Sequence, residues 1–235
     1  MRLDQYLVEE GFVDSRTKAQ TLIKLRKVSV NGKAVTKPAF KVSGERVEIA
    51  DEMIYVSRGA HKLKGFLPSL PFSVKGLDAL DIGASTGGFT QVLLEEGASS
   101  VTCVDVGQGQ LHQKLQDDKR VISFEKMDIR DFTRQRRFDL VTSDVSFISL
   151  HHILESVDAL SQKWIILLFK PQFEVGKEAK RDSNGVVVDE KAIESAKTAF
   201  EEAADALGWK LVHHEPSTLS GKEGNIEECY CFEKC

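Results

Sequence analysis

Two lysines and two carboxylates occupy positions from which they could share one site. Lys170 follows the wholly apolar run 165–169, and Asp144 ends the preceding apolar run. A lysine that is partly buried beside a second cation loses its proton more readily and can act as a base. Lys62 is the candidate for that cation, and Glu227 opens the last predicted strand. The residues alone leave open that Lys170 simply extends its charged end into water.

A glycine-rich turn at 81–90, D-I-G-A-S-T-G-G-F-T, joins an apolar strand to a helical pattern. Such a turn lets the backbone approach a ligand at the carboxyl edge of a sheet. Its G-x-x-x-G-G spacing differs from the G-x-G-x-x-G of dinucleotide folds, and it lacks the G-K-[ST] ending of a P-loop. The residues predicted to contact a ligand here are Asp81, Gly83, Ala84, Ser85, Thr86, Gly87, Gly88 and Phe89.

Three acids at the ends of later strands suggest which ligand this is. Asp105 follows the glycines by about one βα unit, where a carboxylate can accept from both hydroxyls of a ribose. Asp128 is placed to meet an adenine amino group, and Asp144 lies at the same edge. Adenosine recognition without a phosphate cradle favours S-adenosylmethionine over a nucleotide. The alternative is that Asp105 caps a strand end and Asp128 caps a helix.

Strands and helices alternate from about residue 75 onward. Apolar β-rich runs are at 77–82, 101–106, 121–124, 138–142 and 164–169, helical patterns at 89–96, 147–160 and 189–207, and two further strands near 209–214 and 227–233. Alternation of this kind predicts a sheet covered by helices on both faces. The expected fold class is therefore α/β, with a doubly wound, Rossmann-like seven-stranded sheet.

Residues 1–50 have the pattern of a separate small α+β domain. A helix with an apolar stripe ends near Gly11, and Asp14 or Ser15 can cap a second helix. Asn31 and Gly32 form a hairpin-turn signal, and 42–49 alternates as a strand. We expect a linker at 51–60 and the catalytic domain at 61–235.

Charge is divided unequally along the chain. The whole chain has a net charge of −4, but residues 1–65 hold 13 Lys and Arg against 8 Asp and Glu, a net of +5, which leaves −9 for the remainder. This asymmetry suits a basic module for an anionic partner such as RNA. The candidate RNA-binding residues are Arg16, Lys18, Lys24, Arg26 and Lys27. A merely solvated surface is the alternative.

Several classes of protein fit the sequence poorly. The four cysteines form no C-x-x-C pair and the six histidines no H-x-x-x-H spacing, so we expect neither a metal site nor a disulfide framework. There is no run of about 18 apolar residues and no signal-peptide pattern, so we expect no membrane association and a cytoplasmic location.

Several ordered motifs resemble the TlyA family of ribosomal RNA 2′-O-methyltransferases, also known as hemolysin-A-like proteins, which have an FtsJ-type catalytic domain. The matching segments are 57–63, 81–90, 105–111, 143–150, 170–176 and 224–227. Residues 1–50 resemble the small RNA-binding module that this family shares with a small-subunit ribosomal protein, pseudouridine synthases and tyrosyl-tRNA synthetases. The resemblance implies S-adenosylmethionine as cofactor and ribosomal RNA or ribosomal subunits as partner.

The resemblance also implies a catalytic tetrad of Lys62, Asp144, Lys170 and Glu227. Lys170 would be the base for a ribose 2′-hydroxyl, Lys62 would stabilise the developing oxyanion, and the two acids would orient the amines. Glu228 stands where the family usually has an aromatic residue, so Glu227 and Glu228 are both candidates for the glutamate. Leu25 and Arg26 stand where the family commonly has a small pair such as Ala-Gly.

Three other functions remain as alternatives. A base N-methyltransferase typically has an Asn/Asp-Pro-Pro-Tyr/Phe turn after the fourth strand, whereas 144–147 is D-V-S-F. A membrane-lytic protein needs an insertion element, and the sequence contains no candidate for one. A noncatalytic RNA-binding factor would keep the fold without the chemistry, and loss of binding to S-adenosylmethionine would favour it.

Overall fold

The computed structural model describes residues 1–13, 15–49, 55–221 and 223–234. The chain divides into two compact units, Met1–Ile54 and Tyr55–Cys235. Part of the expected linker, 51–54, lies outside the described residues, as does Asp14. Residues 55–60, also expected in the linker, belong to the second unit.

The first unit packs two helices against a small antiparallel sheet. Its elements are α1 (Leu3–Glu9), α2 (Arg16–Lys24), β1 (Val28–Val30), β2 (Lys33–Ala34) and β3 (Val47–Ile49), with sheet order β2-β1-β3. The Ser15 side chain caps α2 by accepting from the Lys18 backbone N–H at 3.3 Å. Asn31 and Gly32 have φ of 50° and 76°, the left-handed pair that a tight two-residue hairpin requires.

The third strand of this sheet is shorter than the sequence indicates. Alternation predicts a strand over 42–49, but β3 begins only at Val47. Gly44 has φ +110°, and the Glu45 carboxylate accepts from the Ser43 backbone N–H, so this stretch turns locally before pairing begins. Alternating hydrophobicity does not register such a turn.

The second unit is built around one seven-stranded sheet. Its helices are α3 (Arg58–Phe66), α4 (Gly88–Glu95), α5 (Gln113–Gln116), α6 (Leu154–Leu160), α7 (Pro171–Glu174) and α8 (Glu190–Ala206), and its strands are β4 (Asp78–Ile82), β5 (Ser100–Asp105), β6 (Val121–Glu125), β7 (Phe138–Ser143), β8 (Ser161–Phe169), β9 (Trp209–Pro216) and β10 (Glu228–Lys234). The sheet order is β6-β5-β4-β7-β8-β10-β9, and β10 runs antiparallel to both of its neighbours. The predicted fold class is confirmed.

Helices cover both faces of this sheet, as expected for strands that are apolar on both sides. One core includes Leu63 of α3, Val92 of α4 and Leu140 of β7. The other includes Val157 of α6 and Phe200 of α8. The strand order reverses at β4, which lies between β5 and β7. A ligand crevice is expected at the carboxyl ends of the strands beside such a reversal.

The helix predicted over 147–160 begins later than expected. Phe147 has φ +66°, a left-handed conformation that interrupts helical geometry. A single 3₁₀ turn at Leu150–His152 follows, and α6 starts at Leu154. The loop after β7 is thereby left at the carboxyl edge of the sheet.

Candidate active site

A cleft lies at the carboxyl ends of β4, β5, β7 and β8. It has two adjoining parts, with volumes of about 360 Å³ and about 780 Å³. Gly83, Ser85 and Asp144 line both parts. Asp105 and Asp128 border only the smaller part, and the two lysines predicted to be catalytic border only the larger one.

Asp105 joins the two loops that frame the smaller part. Its Oδ2 accepts from the backbone N–H of Ser85 at 2.8 Å, and its Oδ1 accepts from that of Gly107 at 2.7 Å. Each carboxylate oxygen retains a second lone-pair site, so both can still accept from a vicinal diol.

Asp128 is held in place by the side chain of Arg130. The Arg130 side chain donates to both carboxylate oxygens, at 2.9 Å from Nε and 2.6 Å from Nη2. This guanidinium lowers the pKa of Asp128 to about 2. Asp128 is therefore a fixed, ionised acceptor at neutral pH, which suits an amino group of a ligand.

The glycine-rich turn contributes in two different ways. Gly83, Ala84, Ser85, Gly88 and Phe89 line the cleft. Thr86 and Gly87 do not: the Thr86 hydroxyl donates to the Val56 carbonyl at 3.4 Å, and a Cβ on Gly87 would lie 2.2 Å from Leu115 Cδ1. Gly87 also has φ +95°, so a side chain there would be strained as well as crowded. We therefore regard these two residues as shaping the turn and do not propose them as ligand contacts.

Asp81 borders the larger part but is fully buried beneath it. Its Oδ2 accepts from the Thr90 backbone N–H at 2.9 Å and from the Thr90 hydroxyl at 2.6 Å, while Oδ1 accepts from the Thr142 hydroxyl at 3.2 Å. Burial raises the pKa of this carboxyl group to about 7. These contacts tie the first turn of α4 to β4 and β7, so Asp81 positions the glycine-rich turn from below.

Lys170 and Asp144 meet at the floor of the larger part. Lys170 Nζ lies 2.6 Å from Asp144 Oδ1 and donates to Ser146 Oγ at 2.9 Å. Lys170 is only 6% exposed, so its stem is buried and its amine opens on the cleft. Parallel strands β7 and β8 end side by side, which is why the two residues that follow them come together.

Lys62 and Glu227 form a second, more deeply buried pair. Lys62 Nζ contacts Glu227 Oε2, and Gln172 Nε2 donates to Glu227 Oε1 at 3.1 Å. The two charged residues are 7% and 3% exposed. The structure thus brings all four predicted tetrad residues to one cleft, from α3, the ends of β7 and β8, and the start of β10.

Glu228 lies elsewhere, although it is also buried. Its carboxylate pairs with Lys197 of α8 and lies 3.5 Å from His214 Nδ1. Consecutive residues at the start of a strand point to opposite faces of the sheet. Glu227 therefore belongs to the cleft, while Glu228 connects the sheet to α8.

A glycine allows α3 to approach the acid of the first pair. A Cβ on Gly59 would lie 2.8 Å from Asp144 Oδ2 and 3.8 Å from the Phe89 ring. No side chain fits there without moving the carboxylate. The R-G-A-H-K motif thus places its glycine against Asp144 and its lysine against Glu227.

Two polar residues of the site were not assigned a role from sequence. Ser146 lies within the motif 143–150 and Gln172 within 170–176, each two residues from a tetrad member. The sequence feature that could have predicted a role for them is that each is a polar residue close to an acid or a base of the tetrad. Only tertiary structure shows that Ser146 binds Lys170, whereas Gln172 binds Glu227.

The smaller part of the cleft has the chemistry that S-adenosylmethionine requires. Apolar side chains, including Val106, Met127 and Ile129, line this part together with the two carboxylates Asp105 and Asp128. An adenosine needs this combination of an apolar slot for the base and separate acceptors for its diol and amino group. Among the described residues, no group of three His, Cys, Asp or Glu side chains could hold a metal ion.

The candidate RNA-binding residues of the first unit have different surroundings. Arg16 Nη2 lies 3.1 Å from Oδ2 of the buried Asp4, which also accepts from Arg2 and from Gln20 at 2.9 Å. The Arg2 hydrogen bond holds the pKa of Asp4 well below its usual range. Arg16 thus also stabilises the fold of this unit. Lys24 and Arg26 are exposed, whereas Lys18 and Lys27 are half-buried.

In the part of the chain that the structure describes, no helix has the length and apolar character to span a membrane.

Comparison with known proteins places the chain in a family. The FtsJ-like methyltransferase model matches residues 55–234, and the S4 domain model matches residues 1–47.

The chain is 44% identical over 255 residues to the 23S rRNA (cytidine-2′-O)-methyltransferase TlyA of Campylobacter jejuni, with 100% of both chains covered. It is 42% identical to the 16S/23S rRNA (cytidine-2′-O)-methyltransferase TlyA of Mycobacterium tuberculosis, covering 96% of this chain and 87% of that one. A solved structure from Streptococcus thermophilus, named as a hemolysin, superposes with a TM-score of 0.72 at 35% identity, covering 100% of this chain and 88% of the other. The chain therefore belongs to the TlyA family of FtsJ-like methyltransferases, with an S4 domain in its N-terminal unit.

Proposed function

We propose that this protein methylates the 2′-hydroxyl of a cytidine in ribosomal RNA, with S-adenosylmethionine as methyl donor. The observation that carries this proposal is the amine of Lys170, held by Asp144 and Ser146 at the floor of the cleft. The two relatives named above supply the expectation of cytidine and of ribosomal RNA. S-adenosylmethionine would supply a methyl group already activated on a sulfonium.

The contacts of Lys170 leave one position on its nitrogen for a substrate. A neutral amine has two N–H groups and one lone pair. Ser146 accepts one of these N–H groups, and Asp144 Oδ1 lies 2.6 Å from Nζ as an ionic partner, so the lone pair of the neutral amine would be directed at neither of them. A ribose hydroxyl in the larger part of the cleft can then lose its proton to Nζ as its oxygen takes the methyl group. A base in this role contributes about 10²–10⁴-fold to the rate.

Lys62 would stabilise the negative charge that develops on the ribose oxygen during this step. Glu227 occupies one of the three donors on its ammonium, and Gln172 fixes the other oxygen of that carboxylate. Two donors remain, and in a largely buried setting a donor aimed at a developing oxyanion is more effective than in water. Asp105 and Asp128 would hold the ribose and adenine of the cofactor.

Two aromatic rings at the cleft suit the base of the target nucleotide. Phe147 is 92% exposed, and its ring centroid lies 5.3 Å from that of Phe173. Both border the larger part of the cleft. A nucleotide taken out of a stack loses base–base contact, which an aromatic side chain replaces at about 1–3 kcal/mol per base. We infer that Phe147 receives the cytosine while its ribose faces Lys170.

Product identification tests the proposal. Labelled S-adenosylmethionine is incubated with the enzyme and with unmodified ribosomal RNA, either free or in ribosomal subunits, and the RNA is digested to nucleosides. We expect label in 2′-O-methylcytidine, at a position that becomes resistant to alkaline cleavage.

Three other outcomes would each point to a different function. Label on a base would indicate an N-methyltransferase. Cofactor binding without transfer to any form of the RNA would indicate a different methyl acceptor. RNA binding without cofactor binding would indicate a noncatalytic factor. Any of the three contradicts the proposal.

A further inference from the structure

Two arginines line the larger part of the cleft, and each is anchored by a backbone carbonyl. Arg58 Nη2 donates to the Ser220 carbonyl at 2.7 Å, and Arg181 Nη2 donates to the Gln172 carbonyl at 3.4 Å. Both residues are exposed. A guanidinium has five N–H donors in a planar fork, so one such contact orients it and leaves most of its donors available.

These arginines differ from three other exposed arginines of the same unit, each of which pairs with an aspartate. Arg120 pairs with Asp118 at 2.7 Å, Arg130 with Asp128 at 2.6 Å, and Arg134 with Asp78 at 2.9 Å. Within the described ranges, neither Arg58 nor Arg181 has a carboxylate within 4.0 Å, although Glu223 also borders the cleft. Their positive charge is therefore not neutralised inside the protein.

Both arginines are connected to the catalytic groups. Arg58 precedes Lys62 by four residues on α3 and so lies on the same face of that helix. Arg181 begins a short hairpin, in which its backbone forms an isolated antiparallel β-bridge with Val187. The Asp182 carboxylate closes this hairpin by accepting from the backbone N–H of Val186 at 2.8 Å. The carbonyl that Arg181 contacts belongs to Gln172, the residue that positions Glu227.

A substrate with phosphates on both sides of its reacting hydroxyl would match this arrangement. Residues 55–235 hold 22 Lys and Arg against 28 Asp and Glu, a net charge of −6, so the catalytic unit repels polyanions as a whole. Binding RNA at its cleft therefore requires local cations. Lys62 and Lys170 pair with carboxylates and are assigned to the reacting hydroxyl, so among the described residues that line the cleft the two anchored guanidinium groups are the remaining cations.

We propose that Arg58 and Arg181 bind the phosphodiester groups that flank the target nucleotide and thereby set the ribose over Lys170. This inference rests on the proposed function, because it assumes that a polynucleotide enters the larger part of the cleft. It adds a phosphate-binding subsite to the catalytic unit that is separate from the RNA contacts expected of the S4 domain.

The test is the salt dependence of RNA binding by the full-length protein. Arg58→Gln, Arg181→Gln and the double variant are compared with wild type, with purified ribosomal RNA as the probe over a range of KCl concentrations. Each phosphate contact contributes about 0.7–0.9 to the slope of log K against log salt. We expect each single variant to flatten the slope by about that amount and the double variant by about twice as much.

Arg136→Gln is the matched control. Arg136 is exposed, and no ion pair of Arg136 is found among the described residues. It precedes β7 at the strand end opposite Asp144, about 20 Å away at 3.3 Å per residue. This control should leave the slope unchanged, and all variants should bind S-adenosylmethionine as wild type does, which shows that they are folded. Arg58→Lys and Arg181→Lys keep the charge and should restore most of the slope.

An unchanged slope in the folded double variant would overturn the proposal, and so would an equal change in the Arg136→Gln control. These results are distinguishable from failure of the proposed function. If the slope depends on both arginines but the wild type methylates no ribose, the subsite stands and the proposed reaction does not. If the wild type methylates ribose and the slope is insensitive to both arginines, only the subsite is lost.

Discussion

At the scale of single residues, Asp81 shows how the protein supports its cleft at a cost in stability. Burial raises the pKa of its carboxyl group from 3.8 to about 7. A folded-state pKa above the unfolded value means that the native state prefers the protonated form. The associated stability is fully present below about pH 4 and is lost as the pH rises through about 7.

Asp81→Asn should remove this pH dependence, because asparagine is close to an uncharged aspartic acid in shape. We expect wild type to lose about 1.4 kcal/mol of unfolding free energy, relative to the variant, for each pH unit between pH 4 and 7. Urea unfolding at a series of pH values measures this difference, since the other titrating groups are common to both proteins. Parallel stability curves would show that Asp81 is not the group responsible.

Glu227 and Glu228 are a matched pair for separating chemistry from stability. Glu227 pairs with Lys62 in the cleft, whereas Glu228 pairs with Lys197 of α8. We expect Glu227→Gln to lower kcat strongly and to leave the affinity for S-adenosylmethionine nearly unchanged. Glu228→Gln should instead lower the unfolding free energy by about 1–3 kcal/mol, because Lys197 is left without its main partner, and should keep kcat. The reverse pattern would exchange their roles.

The members of the site were predictable from sequence, but their contacts were not. Strand ends and motif positions indicated Lys62, Asp144 and Lys170, because parallel strands bring their carboxyl ends to one edge. The choice between Glu227 and Glu228 depends on which face of β10 each occupies. The roles of Ser146 and Gln172 depend on side-chain placement that no local pattern encodes.

At the scale of elements, the end of α2 combines backbone strain with a candidate RNA-binding residue, Arg26. The Lys27 backbone N–H donates to the Leu22 carbonyl and that of Arg26 to the Ile23 carbonyl, a Schellman arrangement. This ending places Arg26 in the left-handed region at φ +59°, where glycine is usual. The small pair that the family commonly has at 25–26 fits this geometry better than Leu-Arg does.

Arg26→Gly should therefore stabilise α2 and weaken RNA binding. Relief of the left-handed side chain is expected to contribute about 1 kcal/mol, measurable as slower hydrogen exchange of the α2 amides. Loss of the guanidinium should reduce affinity for ribosomal RNA if Arg26 contacts phosphate. Tighter RNA binding by the variant would remove Arg26 from the proposed interface.

Element boundaries departed from the sequence pattern where backbone conformation changed over one or two residues. The left-handed Phe147 delays α6, and the turn at Gly44 shortens β3. Hydrophobic periodicity averages over a window of residues, so it locates an element without resolving such local turns.

At the scale of the whole molecule, the two units differ in charge as well as in chemistry. The described residues that line the two parts of the cleft belong to Tyr55–Cys235, which has a net charge of −6, whereas residues 1–54 have a net charge of +2. Composition and alternation of elements predicted this division. The position of the boundary was less predictable, because Ser57 belongs to the second unit through its close approach to Gly88 and not through any local pattern.

Removal of residues 1–50 should weaken RNA binding far more than cofactor binding. The first unit is compact and has its own apolar core, and the deletion leaves the lining of the cleft intact. Filter binding of ribosomal RNA and calorimetry with S-adenosylmethionine measure the two affinities. An equal loss of both would mean that the first unit supports the fold of the second and does not act mainly as an RNA anchor.

The most direct test of the account is the single-turnover rate of methyl transfer by Lys170→Ala at saturating S-adenosylmethionine and ribosomal RNA. Lys163→Ala is the control, since Lys163 lies at the other end of β8 and pairs with Glu233 at 3.3 Å. We expect Lys170→Ala to be slower by about 10²–10⁴-fold with an unchanged cofactor affinity, and the control to match wild type. A Lys170→Ala enzyme that keeps a rate within about tenfold of wild type would contradict the assignment of Lys170 as the base.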